Sequence, residues 1–212
     1  MDFAHLGMGQ ELTGTSTMAA VFDGGVILGA DSRTTMGSYI ASRASDKIEP
    51  IHARIFCLRS GVSAHTQLLA HHVRHYLSQH AVTEGTLPQV SVAARLFQQL
   101  SYWNKDHLTA AIICGGWDPV HGPSVYEIPL GGSLVQLPYA ISGSGSSFIY
   151  GYCDANWHEG MGMDECKQFV MNALSLAMTR DGSSGGIMRL AVVTGEGVSR
   201  EYVTQNALPY KL

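Results

Sequence analysis

Three observations predict an α+β fold for this 212-residue chain. Short apolar runs are bounded by Gly, Asp and Ser. Stretches of helical period come in two pairs. The elements run strands, two helices, strands, two helices, strands. Segregated helix pairs around antiparallel hairpins place two sheets face to face with helices outside, a four-layer αββα sandwich.

Residues 17–22 and 26–30 are apolar runs joined by Asp23-Gly24-Gly25, the signature of a β-hairpin. Further strands are expected at 39–42 and at 54–58, the latter ended by Ser60-Gly61. The period then changes. Leu69, Val73, Tyr76 and Leu77 lie at i, i+4, i+7 and i+8, which puts an apolar stripe on a helix over 63–79. A second helix over 89–107 carries Ala93, Leu96, Phe97, Leu100 and Trp103 on one face. Residues 110–116 and 124–129 read as strands around Trp117-Asp118-Pro119, and 133–142 holds one or two more. A helix over 146–157 precedes another marked by Met163, Cys166, Val170, Ala173, Leu174 and Ala177. Residues 187–194 and 199–203 form a closing hairpin.

Charged residues make up 14% of the chain and hydrophobic ones 45%. A free monomer carries nearer a quarter charged residues, so part of the surface is expected to be covered by other subunits. The net charge of −4, without any Lys/Arg run, excludes a nucleic-acid footprint. No stretch approaches the ~20 apolar residues that span a bilayer, and residues 1–14 lack a basic n-region and an apolar h-region. Cys57, Cys114, Cys153 and Cys166 are scattered among apolar neighbours without a CxxC pair, which fits buried thiols in a reducing compartment. A soluble intracellular protein without membrane or nucleic-acid partners is expected.

Two familiar catalytic signatures are missing: GxxxxGK[ST] and HExxH do not occur. Gly143-Ser144-Gly145-Ser146-Ser147 has no lysine partner for phosphate. His71 and His75 sit four apart on a His-rich helix face with no third ligand nearby, so a solvated face is expected and no metal or cofactor. Trp103, Trp117 and Trp157 are expected to pack in the core.

What remains is Thr13-Gly14-Thr15-Ser16-Thr17 at the start of a strand. It is followed by Gly29-Ala30-Asp31-Ser32-Arg33, Asp46-Lys47, Arg59-Ser60-Gly61, Gly143-Ser144-Gly145-Ser146 and Arg180-Asp181-Gly182-Ser183-Ser184-Gly185-Gly186. In this order and spacing, from Thr15 to Val203, the set resembles the catalytic β-subunits of the 20S proteasome, which are N-terminal-nucleophile threonine hydrolases. The chemistry accounts for the residue types. A threonine hydroxyl needs a base. An α-amine, with a pKa of about 7.7–8.0, is a far better base near neutral pH than a lysine at about 10.4. Only an N-terminal threonine carries both groups, so residues 1–14 are expected to be a propeptide cut off autolytically before Thr15, leaving residues 15–212 as the protease domain.

The resemblance implies a role for each residue. Lys47 stands beside Thr15 Oγ as an ammonium, and Asp31 holds Lys47. The backbone N–H of Gly61 serves as oxyanion donor. Ser144, Asp181 and Ser184 hydrogen-bond the amine and a water. Thr34, Thr35, Arg59 and Ser63 line the substrate site. The run 31–41 and Arg59 most resemble the member that cleaves after acidic residues (caspase-like), where a guanidinium pairs with a substrate carboxylate. Glu49 stands where the family is typically uncharged, and an acid close to Arg59 is expected to weaken that preference. Ser63 and Thr66 are small, so the pocket is expected to be roomy. The resemblance further implies a heptameric ring of β-subunits, contact with the opposite β-ring and the adjacent α-ring, unfolded polypeptide substrates, and residence in cytoplasm and nucleus. Two rivals remain open: a non-catalytic structural β-subunit, and an unrelated N-terminal-nucleophile hydrolase or self-complementary ring protein.

Overall fold

The computed structural model describes residues 14–211; of the expected leader 1–14, all but Gly14 lies outside the described residues. The first hairpin forms as its sequence dictates. β1 (Thr17–Phe22) and β2 (Gly25–Ala30) pair antiparallel in a register that sets Thr17 against Ala30. After them come the short β3 (Thr34–Met36) and β4 (Tyr39–Ser42), then β5 (Ile48–His52) and β6 (Ile55–Gly61). Helices α1 (Ser63–Glu84) and α2 (Val90–Trp103) lead to β7 (Ala110–Asp118), β8 (Gly122–Ile128), β9 (Val135–Leu137) and β10 (Tyr139–Ser142). A 3-10 turn at Ser146–Phe148 precedes α3 (Tyr150–Asn156) and α4 (Met163–Arg180). The last hairpin is β11 (Met188–Thr194) and β12 (Val198–Val203).

The strands build two five-stranded antiparallel sheets, ordered β10-β1-β2-β11-β12 and β5-β6-β7-β8-β9. The period-2 alternation of each strand decides what lies on either face. From β1, Ala19 points between the sheets, while Met18, Ala20 and Phe22 meet α4 residues such as Val170 and Leu174. From β6, Phe56 and Leu58 enter the inter-sheet core with Leu28 and Ile113, whereas Ile55 and Cys57 face α1 and α2. Both sheets are therefore covered on both faces, and the expected four-layer sandwich is present. Burying each large aliphatic side chain of these layers contributes about 1.5–3 kcal/mol. All four cysteines are buried and free, and burial pushes the thiols of Cys114, Cys153 and Cys166 up to about 12.

Three details depart from the sequence reading. β3 and β5 were not expected. The helix expected over 146–157 is broken into the 3-10 turn and α3. Trp103 is 71% exposed rather than core, because the buried line of α2 runs through Phe97 and Leu100 to Asn104, one position beyond it. His71 and His75 lie on the exposed side of α1, as expected of a solvated face. No helix among the described residues is long and apolar enough to cross a membrane.

Candidate active site

Strand ends gather at one end of the sandwich. The hairpin register that sets Thr17 against Ala30 carries Thr15 and Ser16 alongside Asp31, and reciprocal bonds fix them there. Asp31 N–H donates to Ser16 O at 3.1 Å, and Ser16 N–H donates to Asp31 Oδ1 at 2.9 Å. Lys47 enters from the start of β5, Gly61 from the end of β6, Ser144 from just beyond β10, and Asp181 caps the C-terminus of α4.

Asp31 is fully buried and its carboxylate is saturated. Oδ1 accepts from Lys47 Nζ at 2.6 Å and from Ser16 N–H. Oδ2 accepts from the N–H groups of Arg33 at 3.1 Å and Gly185 at 3.0 Å. Four donors fill the positions a carboxylate offers, which is how a buried acid is made tolerable. Lys47, 6% exposed, donates to Asp31 and also to Gly14 O at 3.0 Å. Burial pushes the lysine pKa below its ordinary value. The charge and hydrogen bond of Asp31, and the charge of Asp181, pull it back up, while Arg59 pushes it down.

The Gly14–Thr15 peptide bond lies in the middle of this arrangement. Thr15 Oγ1 donates to Gly14 O at 2.6 Å, so the hydroxyl and the Lys47 ammonium converge on one carbonyl. Thr15 N–H donates to Ser144 Oγ at 3.1 Å. That hydroxyl in turn donates to Asp181 Oδ2 at 2.7 Å, which also accepts from Ser184 Oγ at 2.6 Å. Ser144 thus touches the Thr15 nitrogen directly, while Asp181 and Ser184 act one bond further out. Ser16 Oγ lies 2.8 Å from Ser184 Oγ and completes the chain. Its adjacency to Thr15 was the only sequence signal for it.

Two glycines are required by geometry. A Cβ on Gly14 would come within 2.1 Å of Ser183 Cβ and 2.4 Å of Ser183 O. Gly61 has φ +108°, and a Cβ there would meet Thr109 O at 2.5 Å. The turn placing the Gly61 N–H is held by Val62 N–H donating to Thr109 O at 2.9 Å and Thr109 N–H donating to His65 Nδ1 at 3.0 Å.

Beside Thr15 lies a pocket of about 220 Å³, lined by Thr34, Asp46, Lys47, Arg59, Gly61, Ser63 and Thr66 among others. Of the four residues expected to bind substrate, Thr34, Arg59 and Ser63 line this pocket. Thr35 is buried instead, its Oγ1 accepting from Gly14 N–H at 3.0 Å, so its side chain holds Gly14 rather than lining the pocket. Glu49 does approach Arg59: Oε2 lies 2.9 Å from Arg59 Nε, with the N–H out of line for a hydrogen bond. Its other oxygen, Oε1, is 2.6 Å from an Arg74 Nη2 that nothing in the sequence pattern singled out. Arg59 Nη2 also donates to Asp46 O at 2.9 Å. A larger cleft of about 640 Å³ opens at the far end of β1, around Val21, Ser124 and Trp157, remote from Thr15, Lys47 and Asp31.

Known proteins agree with this architecture. The family model described as proteasome subunit matches residues 11–193. The chain is 55% identical over 196 residues to proteasome subunit beta type-6 of Dictyostelium discoideum, covering 92% of each. It is 50% identical over 200 residues to proteasome subunit beta type-1 of Saccharomyces cerevisiae, covering 94% of this chain and 93% of the relative. It is 43% identical over 201 residues to human proteasome subunit beta type-9, covering 95% and 91%. With its four-layer sandwich and near full-length likeness to β-type relatives, the chain belongs to the proteasome subunit family, among the β-subunits of the core particle.

Proposed function

We propose that this β-subunit is a threonine endopeptidase whose nucleophile and base are both supplied by Thr15, once residues 1–14 have been removed. The observation that carries the reading is the buried line Asp31–Lys47–Gly14 O, with the Thr15 hydroxyl on the same carbonyl oxygen. In the uncut chain the Lys47 ammonium draws electron density from the Gly14 carbonyl. Rotation of Thr15 Oγ1 from the oxygen to the carbon then starts an N-to-O acyl shift, and water completes the cut. The product bears a free α-amine where an amide stood.

That amine accepts the Thr15 hydroxyl proton as the oxygen attacks a substrate carbonyl. Ser144, already bonded to the Thr15 nitrogen, orients it, and Asp181 with Ser184 orients Ser144. The Gly61 N–H stabilises the tetrahedral oxyanion, and loss of such a donor costs about 2.7–4 kcal/mol. The amine returns its proton to the leaving amine, and a water hydrolyses the acyl ester. This activity belongs to the chain within its double-ring assembly with other β-subunits and the α-ring, acting on unfolded polypeptides in cytoplasm and nucleus.

Arg59 in the pocket beside Thr15 supports a preference for cleavage after acidic residues, and Glu49 at 2.9 Å tempers it. Assembled particles carrying Thr15→Ala are expected to lose the peptidase activity assigned to this subunit while the ring still forms. Undiminished activity sinks the mechanism. A fluorogenic panel with acidic, basic and apolar residues before the cut should give a modest post-acidic bias, and strong, exclusive post-acidic cleavage would refute the tempering by Glu49.

A further inference from the structure

Two acidic residues meet the pocket arginine, Glu49 through its carboxylate and Asp46 through its backbone carbonyl, and the carboxylate of each is gripped by a second arginine. Asp46, whose carbonyl accepts from Arg59 Nη2, pairs through its carboxylate with Arg200 Nη2 at 2.8 Å. Glu49, beside Arg59 Nε, pairs through its second oxygen with Arg74 Nη2 at 2.6 Å. Arg74 is in turn aimed by its own Nε, which donates to Pro50 O at 2.9 Å, so α1 presents it to β5 in a fixed pose.

Arg59 lines the pocket, whereas Glu49 and Arg74 stand behind it and do not. The Glu49 side chain is 20% exposed and that of Arg59 13% exposed, so their attraction is less screened than that of a surface pair. Left alone with Arg59, Glu49 would form a neutral pair and the pocket would offer a substrate carboxylate little net attraction. With Arg74 present the three side chains carry a net single positive charge, and the Glu49 charge is divided between two cations.

We propose that Arg74 is a specificity-determining residue that acts through Glu49: by holding one of its oxygens, Arg74 leaves Arg59 with charge to receive an acidic side chain. This rests on the reading that Arg59 receives the residue preceding the cut bond. Arg74 touches no substrate; it is a positioning residue.

The test is a four-chain cycle in assembled particles: the parent, Arg74→Met, Glu49→Gln and the double variant, with Arg74→Lys as the conservative control. The readout is the ratio of kcat/KM for a peptide with Glu before the cut to that for the same peptide with Leu. Arg74→Met should lower the ratio roughly two- to fivefold, Glu49→Gln should raise it by a similar factor, and Arg74→Lys should keep most of the parental value. In the Glu49→Gln background, Arg74→Met should change the ratio by less than about 1.5-fold, because the mediator is gone. An unchanged ratio in Arg74→Met, or an equal fall in both backgrounds, overturns the proposal. Absence of any Thr15-dependent cleavage is a failure of the catalytic reading instead. In that case the same cycle built on Thr15→Ala is read by the binding of a blocked peptide ending in Glu against one ending in Leu. The same order of affinities upholds the role of Arg74, and no order refutes it.

Discussion

The residues at the site divide by what their removal leaves behind. Asp31 has four donors and no solvent, so Asp31→Asn strands the Lys47 ammonium in a buried position without its countercharge. Breaking a buried pair in this way costs about 3–5 kcal/mol, and a urea titration of the purified chain should show a loss of that size, while assembled particles carrying the variant should lose this subunit's peptidase activity. Lys47 leads to a pH prediction with two opposite signs. Burial lowers its pKa beneath the ordinary 10.5, so the ammonium that the mechanism needs is lost at lower pH than an exposed lysine would lose it. Activity should therefore fall on the alkaline side, starting below the ordinary lysine range. Stability behaves otherwise. Between the folded and unfolded pKa the unfolded chain holds more protons at Lys47, so this group favours folding increasingly as pH rises. A pH–rate profile beside unfolding curves at the same pH values separates the two.

At the scale of elements, the chain ends of strands are made exact by contacts that leave no room. Gly14→Ala must displace Ser183 backbone from the C-terminal side of α4, and the Gly14 carbonyl with it. Slowed or abolished removal of residues 1–14 is expected, followed as a mass shift during assembly. Asp118 is the contrasting case, a buried acid that serves architecture alone. Its Oδ2 accepts from Val90 N–H at the start of α2, and its Oδ1 from Val120 and His121 N–H in the β7–β8 turn. Asp118→Ala should destabilise by about 1.5–3 kcal/mol without changing the ratio of acidic to apolar cleavage.

Which elements were legible in the sequence follows from the same contacts. The β1–β2 hairpin and α4 could be read because an Asp-Gly turn and an apolar stripe are local signals. β5 could not: Ile48-Glu49-Pro50-Ile51-His52 mixes charge and proline, which an edge strand tolerates because one side of its backbone needs no partner. Missing β5 hid the reach of Arg74 to Glu49, since that contact depends on α1 packing over an unseen strand. The residues gathered around Thr15 were legible because they sit at strand ends in a recognisable order. Thr35 was misplaced because the register of β3 decides whether a side chain meets the pocket or the chain before Thr15.

Over the whole molecule, two sheets covered on both faces leave the site at one end of a rigid sandwich rather than in a mobile loop. That suits a nucleophile, a lysine and a carboxylate that must be held without relaxation when charge develops. In the proposed mechanism the chemistry depends on a covalent event: the layers position Thr15, and its nitrogen is an amide for as long as Gly14 is attached. The most direct test is the mass and N-terminal residue of this chain recovered from particles that cleave peptides. The account predicts a chain beginning at Thr15, with peptidase activity of this subunit appearing in step with it. Peptidase activity from a chain that still carries Gly14 would contradict it.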